Sequence, residues 1–357
     1  MANVKHRTMI GGQAVIEGVM MRGVKTSAMA VRKPDGTINL STWQNSSIKD
    51  KYPVLKFPVL RGVVNFVEML IDGYKTLMQT AEIAGLEDES KTSKDIKNNS
   101  SFDTLIIKTT TEPPAAVSSE QGDSPNEPVI NNSSQEASSE ESKEEEKGMS
   151  GIMVKLLSVL SALIGIALAI LLFTVTPALV TFYTKDILHF GIFTTLVEGV
   201  IRIIIFVLYL AVVSLLKDIQ RVFEYHGAEH KTIYCYENNE ELTVENARKN
   251  IRFHPRCGTS FLLIVLIVSI LVFSFVPWNN LFVRIILKLL LLPLVVGISY
   301  EIIRFAGRHD NSVMRFLLAP GLWLQRLTTR EPDDSQLEVA INALEAVLTA
   351  NKEDDKW

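Results

Sequence analysis

Cysteine is almost absent from this chain: 357 residues hold two, Cys235 and Cys257. Two thiols cannot build a disulfide framework, and in a cytoplasmic loop they stay reduced, available as ligands or nucleophiles. A leader is lacking as well. The first residues are polar and Gly-rich until past Lys56, without the basic, apolar and small-residue order of a signal peptide, so none is expected. Nucleotide-binding fingerprints are missing: no Lys-Ser/Thr pair follows the Gly-rich stretch Gly11 to Gly23, and its spacing fits neither common pattern. Nothing in the pattern predicts a specific nucleic-acid partner. Internal repeats are absent too, which argues against an alternating-access transporter.

Apolar residues are plentiful, at 47% of the chain, and they are not spread evenly. Four long runs stand out: Leu156 to Tyr183, Ile192 to Leu216, Thr259 to Val276 and Leu281 to Tyr300. A hydrocarbon core of about 30 Å takes about 20 helical residues to cross. Only helices satisfy every backbone group in a lipid-exposed segment of that length. Four transmembrane helices are therefore expected. Lys217, Arg221, Lys231, Arg248, Lys249, Arg252 and Arg256 crowd the loop 217–258, and five arginines follow Tyr300. The connections around Lys185 and Asn279 carry little charge. Positive residues stay inside, so the loop and both termini are expected on the cytoplasmic face of a multi-pass cell-membrane protein. Glu198, Arg202, Arg284 and Lys288 interrupt the runs. They are expected near the outer ends, where snorkelling is cheap, with Glu198 and Arg202 paired and Lys288 pointing outward or meeting Glu198.

The fold class implied is a membrane α-helical protein with a small α+β cytoplasmic part. Residues 1–85 read as strands followed by an amphipathic helix. Ala28 to Arg32 and Thr37 to Thr42 flank Pro34-Asp35-Gly36, a hairpin turn. The Gly-rich stretch before them permits close backbone approach. Over residues 58–84, Arg61, Asn65, Glu68, Asp72, Lys75, Gln79 and Glu82 recur at helical steps. They form one narrow polar stripe on an apolar cylinder, suited to the membrane interface or to packing on the spans. Residues 86–148 hold 15 acidic and 6 basic residues and one aromatic, Phe102, which predicts a disordered acidic linker. The four-helix region covers 149–310. Residues 311–357 read as an interfacial segment, Val313 to Leu327, and a terminal packing helix, Leu337 to Leu348.

Chemistry concentrates in the loop between the second and third runs. It opens on His226-Gly227-Ala228-Glu229-His230 and closes on His254-Pro255-Arg256-Cys257. On a helix, His226 and His230 share a face, and both imidazoles can reach one metal ion. His254 and Cys257 add two ligands of a type zinc accepts, so a divalent transition metal, zinc first, is the expected cofactor. The first segment also matches the H-x-x-E-H metallopeptidase pattern, with Glu229 as general base and a downstream acid such as Glu301 completing the ligands. Four protein ligands would close the site and make it structural, whereas catalysis needs an open position. Glu17 and Arg22 join the catalytic set if the N-terminal strands fold back onto the loop. A metal-free Cys257/His254 nucleophile pair is the weaker option, for want of an orienting third group.

Three blocks, Gly11 to Gly23, Glu224 to Lys231 and His254 to Phe261, together resemble the YqhQ-like family of bacterial membrane proteins, a domain of unknown function. The resemblance covers most of the chain outside the acidic linker. It implies membrane location and metal dependence, carried here by Gln13, Glu17, Arg22, His226, Glu229, His230, His254 and Cys257, and supplies no substrate or reaction. Two functions stay open: a metal-dependent hydrolase at the cytoplasmic membrane surface, and a non-enzymatic membrane scaffold holding a membrane or cytoplasmic partner.

Overall fold

The computed structural model describes residues 6–84, 156, 159–188, 191–308, 312–349 and 351–356. The acidic stretch 86–148, expected to be a disordered linker, lies outside the described residues. The elements below belong to one compact unit that runs from Ile166 onward and includes the N-terminal sheet and helix; residues 159–165 fall in a second.

Four strands, β1 (Gly11–Val15), β2 (Gly18–Arg22), β3 (Thr26–Arg32) and β4 (Ile38–Gln44), form an antiparallel meander in sequence order. Register follows the turns. Val15 pairs with Gly18 across the first, and Arg32 with Ile38 across the third. In the third turn Gly36 takes a positive φ of 84°, and Asp35 accepts hydrogen bonds from the Thr37 amide and hydroxyl. Both faces of the central strands are covered, so apolar residues occupy consecutive positions rather than alternate ones. Val19, Met21, Ala28 and Ala30 enter one core, while Met20, Met29 and Val31 pack with Trp43 and Ile83 on the other face.

Two short turns, α1 (Ile48–Lys51) and a 3₁₀ turn, lead into the 24-residue α2 (Leu60–Ile83). The first half of its polar stripe faces the protein, while Lys75, Gln79 and Glu82 are exposed. Arg61 binds Glu301, Asn65 meets Lys49, Glu68 accepts from Ser47 and Ile48, and Asp72 pairs with Arg22. Val67, Leu70, Ile71, Tyr74 and Leu77 are left exposed.

Among the described residues three helices are long and apolar enough to cross a membrane, Val159–Thr184, Thr194–Val213 and Leu281–Arg308, and they point to membrane association. We call the C-terminal part of the first α3 (Thr176–Leu188), the second α4 and, further on, the third α8; a π turn at Leu171–Val175 precedes α3. The fourth expected span is the shorter α7 (Gly258–Phe273), 16 residues or about 24 Å long. The interrupting charges do not snorkel. The side chains of Glu198, Arg202, Arg284 and Lys288 are at most 6% exposed and point into the bundle, because Glu198 gathers all three cations.

The second span does not run on through the loop. It breaks at Ser214, and a new helix, α5 (Lys217–Glu237), starts after Leu216. From Gly227 to Glu237 every residue of α5 is buried, although four of them are Glu229, His230, Lys231 and Glu237. The sheet, the short α6 (Val244–Lys249) and the C-terminal α10 (Asp334–Glu345) close around it. Helix α10 opens with a capping box between Asp333 and Gln336, and contributes Leu337, Val339, Ala340, Ile341, Ala343 and Leu344 to the main core. Helix α9 (Ser312–Thr328) buries Leu318, Leu324 and Gln325 and leaves Val313, Phe316 and Trp323 exposed.

Candidate functional site

Helix α5 puts His226 and His230 one turn apart, with ring centroids 4.5 Å from each other. Cys257 reaches the same place from the N-cap of α7, where its Sγ lies 3.1 Å from His226 Nε2 and receives the Thr259 amide at 3.5 Å. The donor atoms of His226, His230 and Cys257 all lie within 4.8 Å of one another, and these three residues could hold a metal ion.

Both imidazoles are oriented by main chain. His226 Nδ1 sits 2.7 Å from the Thr328 carbonyl, and His230 Nδ1 sits 2.5 Å from the Arg252 carbonyl. A carbonyl only accepts, so each Nδ1 carries a proton, and in the neutral ring the lone pair is on Nε2. His230 Nε2 is buried and has no hydrogen-bond partner. The Thr328 carbonyl is delivered by the segment that leaves α9 and crosses α5 at Gly227, where Arg330 N donates to Phe223 O at 2.8 Å. A Cβ on Gly227 would collide with the Arg330 carbonyl oxygen. The glycine inside the His-x-x-Glu-His run is there for that crossing.

Burial alone would push the Cys257 thiol up, but the neighbouring His226 and His230 outweigh it and hold it well below its ordinary value. The helix N-terminus acts in the same direction. Burial works against a charged His226, yet the Cys257 thiolate and Glu229 raise it to about 9. Together they form a thiolate–imidazolium pair. Glu229 is buried, and desolvation raises its carboxyl despite the two histidines. Its side chain rests on β1, where a Cβ on Gly12 would stand 2.9 Å from Glu229 Cγ and Cδ. The Gly11-Gly12 pair thus allows the close backbone approach its composition suggested.

The remaining expected residues go elsewhere. His254 lies beside His230, with centroids 5.6 Å apart, but both of its nitrogens are engaged. Nε2 meets Glu237 Oε2 at 3.3 Å, and Nδ1 receives the Arg256 amide at 3.4 Å. Desolvation drives His254 down to about 4, so it is a neutral structural residue outside the three-donor group. Glu17, at the β1–β2 turn with φ 52°, binds Arg221 and lies 3.3 Å from the Tyr225 hydroxyl. Arg22 pairs with Asp72 at 3.2 Å. Glu301 is taken by Arg61. The strands do fold onto α5, but they bring Gly12 to the site rather than Glu17 or Arg22. Cys235 is packed in the main core.

Four supporting groups escaped the sequence argument. Gln325 clamps the His254 backbone, accepting from its amide at 2.8 Å and donating to its carbonyl at 2.7 Å. Glu237 binds His254 and Arg256 and receives the Thr8 amide. The Thr328 and Arg252 carbonyls leave no signature, because any residue supplies a carbonyl.

A family model described as "Protein of unknown function (DUF1385)" matches residues 127–350. The chain is also 32% identical over 342 residues to "Uncharacterized protein YqhQ" of Bacillus subtilis (strain 168), covering 95% of this chain and 92% of that one. The chain belongs to this family. All three donors and Glu229 lie inside the part that the DUF1385 model matches. No solved structure matches the chain.

Proposed function

We propose that this DUF1385 protein is a four-span membrane protein that binds a divalent transition metal, zinc first, through His226, His230 and Cys257, and uses it for hydrolysis at the cytoplasmic membrane surface. The observation that carries the reading is the pair of Nδ1–carbonyl bonds. They turn both Nε2 atoms toward Cys257 and leave His230 Nε2 buried with no partner. Oriented imidazoles of this kind are the usual outer support of a metal ligand. An orphaned buried nitrogen is otherwise costly.

Three protein ligands leave a position open, as a catalytic site requires. A metal held there would supply Lewis acidity toward the oxygen of a carbonyl or phosphoryl group. Glu229, buried beside the two histidines with its carboxyl raised by desolvation, would take a proton from the attacking water. Gly12 walls it on the side of the sheet.

The membrane arrangement rests on charge and length. Helix α7 falls short of 20 residues, but its apolar run continues to Val276 and it packs between α8 and α9, where a short span is tolerated. Basic loop residues support a cytoplasmic side for 217–258 and both termini. The exposed apolar face of α2 then lies at the membrane interface.

Metal analysis of the detergent-purified full chain tests the proposal. Near-stoichiometric metal is expected, lost in His230→Ala and Cys257→Ala and retained in Glu229→Gln, which loses only activity. A metal-free native protein would refute it. The Cys257–His226 pair, oriented by the Thr328 carbonyl, would then stand as a metal-free nucleophile, and rapid alkylation of Cys257 near neutral pH would identify it. Full complementation by Glu229→Gln would favour the scaffold function instead.

A further inference from the structure

The candidate spans enclose a charge cluster that the metal site does not use. Glu198 on α4 accepts from Arg202 at 3.2 Å, from Arg284 at 2.7 Å and from Lys288. Three cations thus share one carboxylate in the interior, and no second acid among the described residues pairs with them.

The cations are not equally well served. Arg202 sends Nε to the Phe173 carbonyl at 2.9 Å and a terminal nitrogen to Ser269 Oγ at 2.7 Å. Arg284 donates to the Val276 and Pro277 carbonyls beyond the end of α7, and its guanidinium lies 3.5 Å from the centroid of the Trp278 ring. Its Nε, however, is buried with no partner. Lys288 has Glu198 alone, at the oxygen that also serves Arg202, although an ammonium carries three donors. Uncompensated cations in a low-dielectric interior are costly, and inward-facing ones cannot snorkel to relieve the cost.

We propose that Arg284 and Lys288 hold a small, weakly hydrated monovalent anion of the halide class. Arg284 Nε and the remaining Lys288 N–H groups supply enough donors for such an ion. A phosphate or sulfate would bring more acceptor oxygens than these donors satisfy, beside the apolar ring of Phe273. One negative charge removes half of the cluster's excess. The carbonyls of Phe173, Val276 and Pro277 and the Trp278 ring face the rest.

The test is equilibrium dialysis of the detergent-purified full chain against radiolabelled chloride. Saturable binding of one chloride per chain is expected, displaced by bromide and not by sulfate or isethionate. It should weaken at least tenfold in Lys288→Met and stay unchanged in Lys249→Met, whose lysine is exposed on α6. Should Lys288→Met fail to fold, the native protein still decides. Its Tm is expected to be higher in chloride than in isethionate at equal ionic strength. No saturable binding by the native chain, equal Tm in both salts, displacement by sulfate, or full binding by a folded Lys288→Met variant would each overturn the proposal.

Discussion

Replacing Gly227 by alanine sets two physical effects against each other. Helix propensity alone favours alanine in a helix interior by about 1 kcal/mol. At Gly227 the new methyl would strike the Arg330 carbonyl oxygen and stand 3.2 Å from the Arg330 carbonyl carbon and 3.3 Å from Pro332 Cδ. These are main-chain and ring atoms, so a rotamer change cannot relieve the clash. Overpacking costs about 1–3 kcal/mol, and displacing the segment also strains the Arg330–Phe223 backbone bond, worth about 1 kcal/mol. The net expectation is a loss of about 2 kcal/mol, opposite in sign to propensity. The same displacement withdraws the Thr328 carbonyl from His226, so metal content should fall as well. Denaturant or thermal unfolding of the detergent-solubilised chain, with metal analysis of the same samples, measures both. An alanine variant as stable as the native protein, or more so, would refute the crossing at Gly227 and the orientation of His226 that depends on it.

Other expectations follow from the surroundings of the site. Gly12→Ala should disturb Glu229 and cut activity at least tenfold with little change in metal content, because its Cβ meets Glu229 and the Met20 carbonyl oxygen rather than a donor of the cluster. Glu17→Ala should cost at most about 1 kcal/mol and leave metal content intact, since the partly exposed Arg221 pair is all it removes beyond the Tyr225 contact. Burial pushes the Glu237 carboxyl up, but His254, Arg256 and the Thr8 amide outweigh burial and leave it below its ordinary 4.5. Its stabilising contribution is therefore complete above pH 4.5 and drains away as pH falls toward the lowered folded value, so acid unfolding followed by circular dichroism should flatten in Glu237→Gln. That variant should also lose about 3 kcal/mol at neutral pH, because Arg256 is left without its buried partner.

Some of this architecture is set by residue order alone. Helices and strands follow local periodicity, so the apolar runs, the Pro34-Asp35-Gly36 turn and α2 could be read without coordinates. The spacing of His226 and His230 fixed their common face, because 3.6 residues per turn requires it. Long-range partners are another matter. Folding chose Cys257 over His254 as the third donor, since the α7 N-cap points the thiol at His226 while Glu237 and Arg256 occupy both His254 nitrogens. It also turned the first half of the α2 polar stripe, Arg61 to Asp72, inward and drew Glu198, Arg202, Arg284 and Lys288 into one buried group. Charge partners are settled by which helices pack together, and one helix's periodicity carries no information about another's. Two of the contacts that orient the site are backbone carbonyls, which every residue possesses, and only the tertiary structure decides which of them face an imidazole.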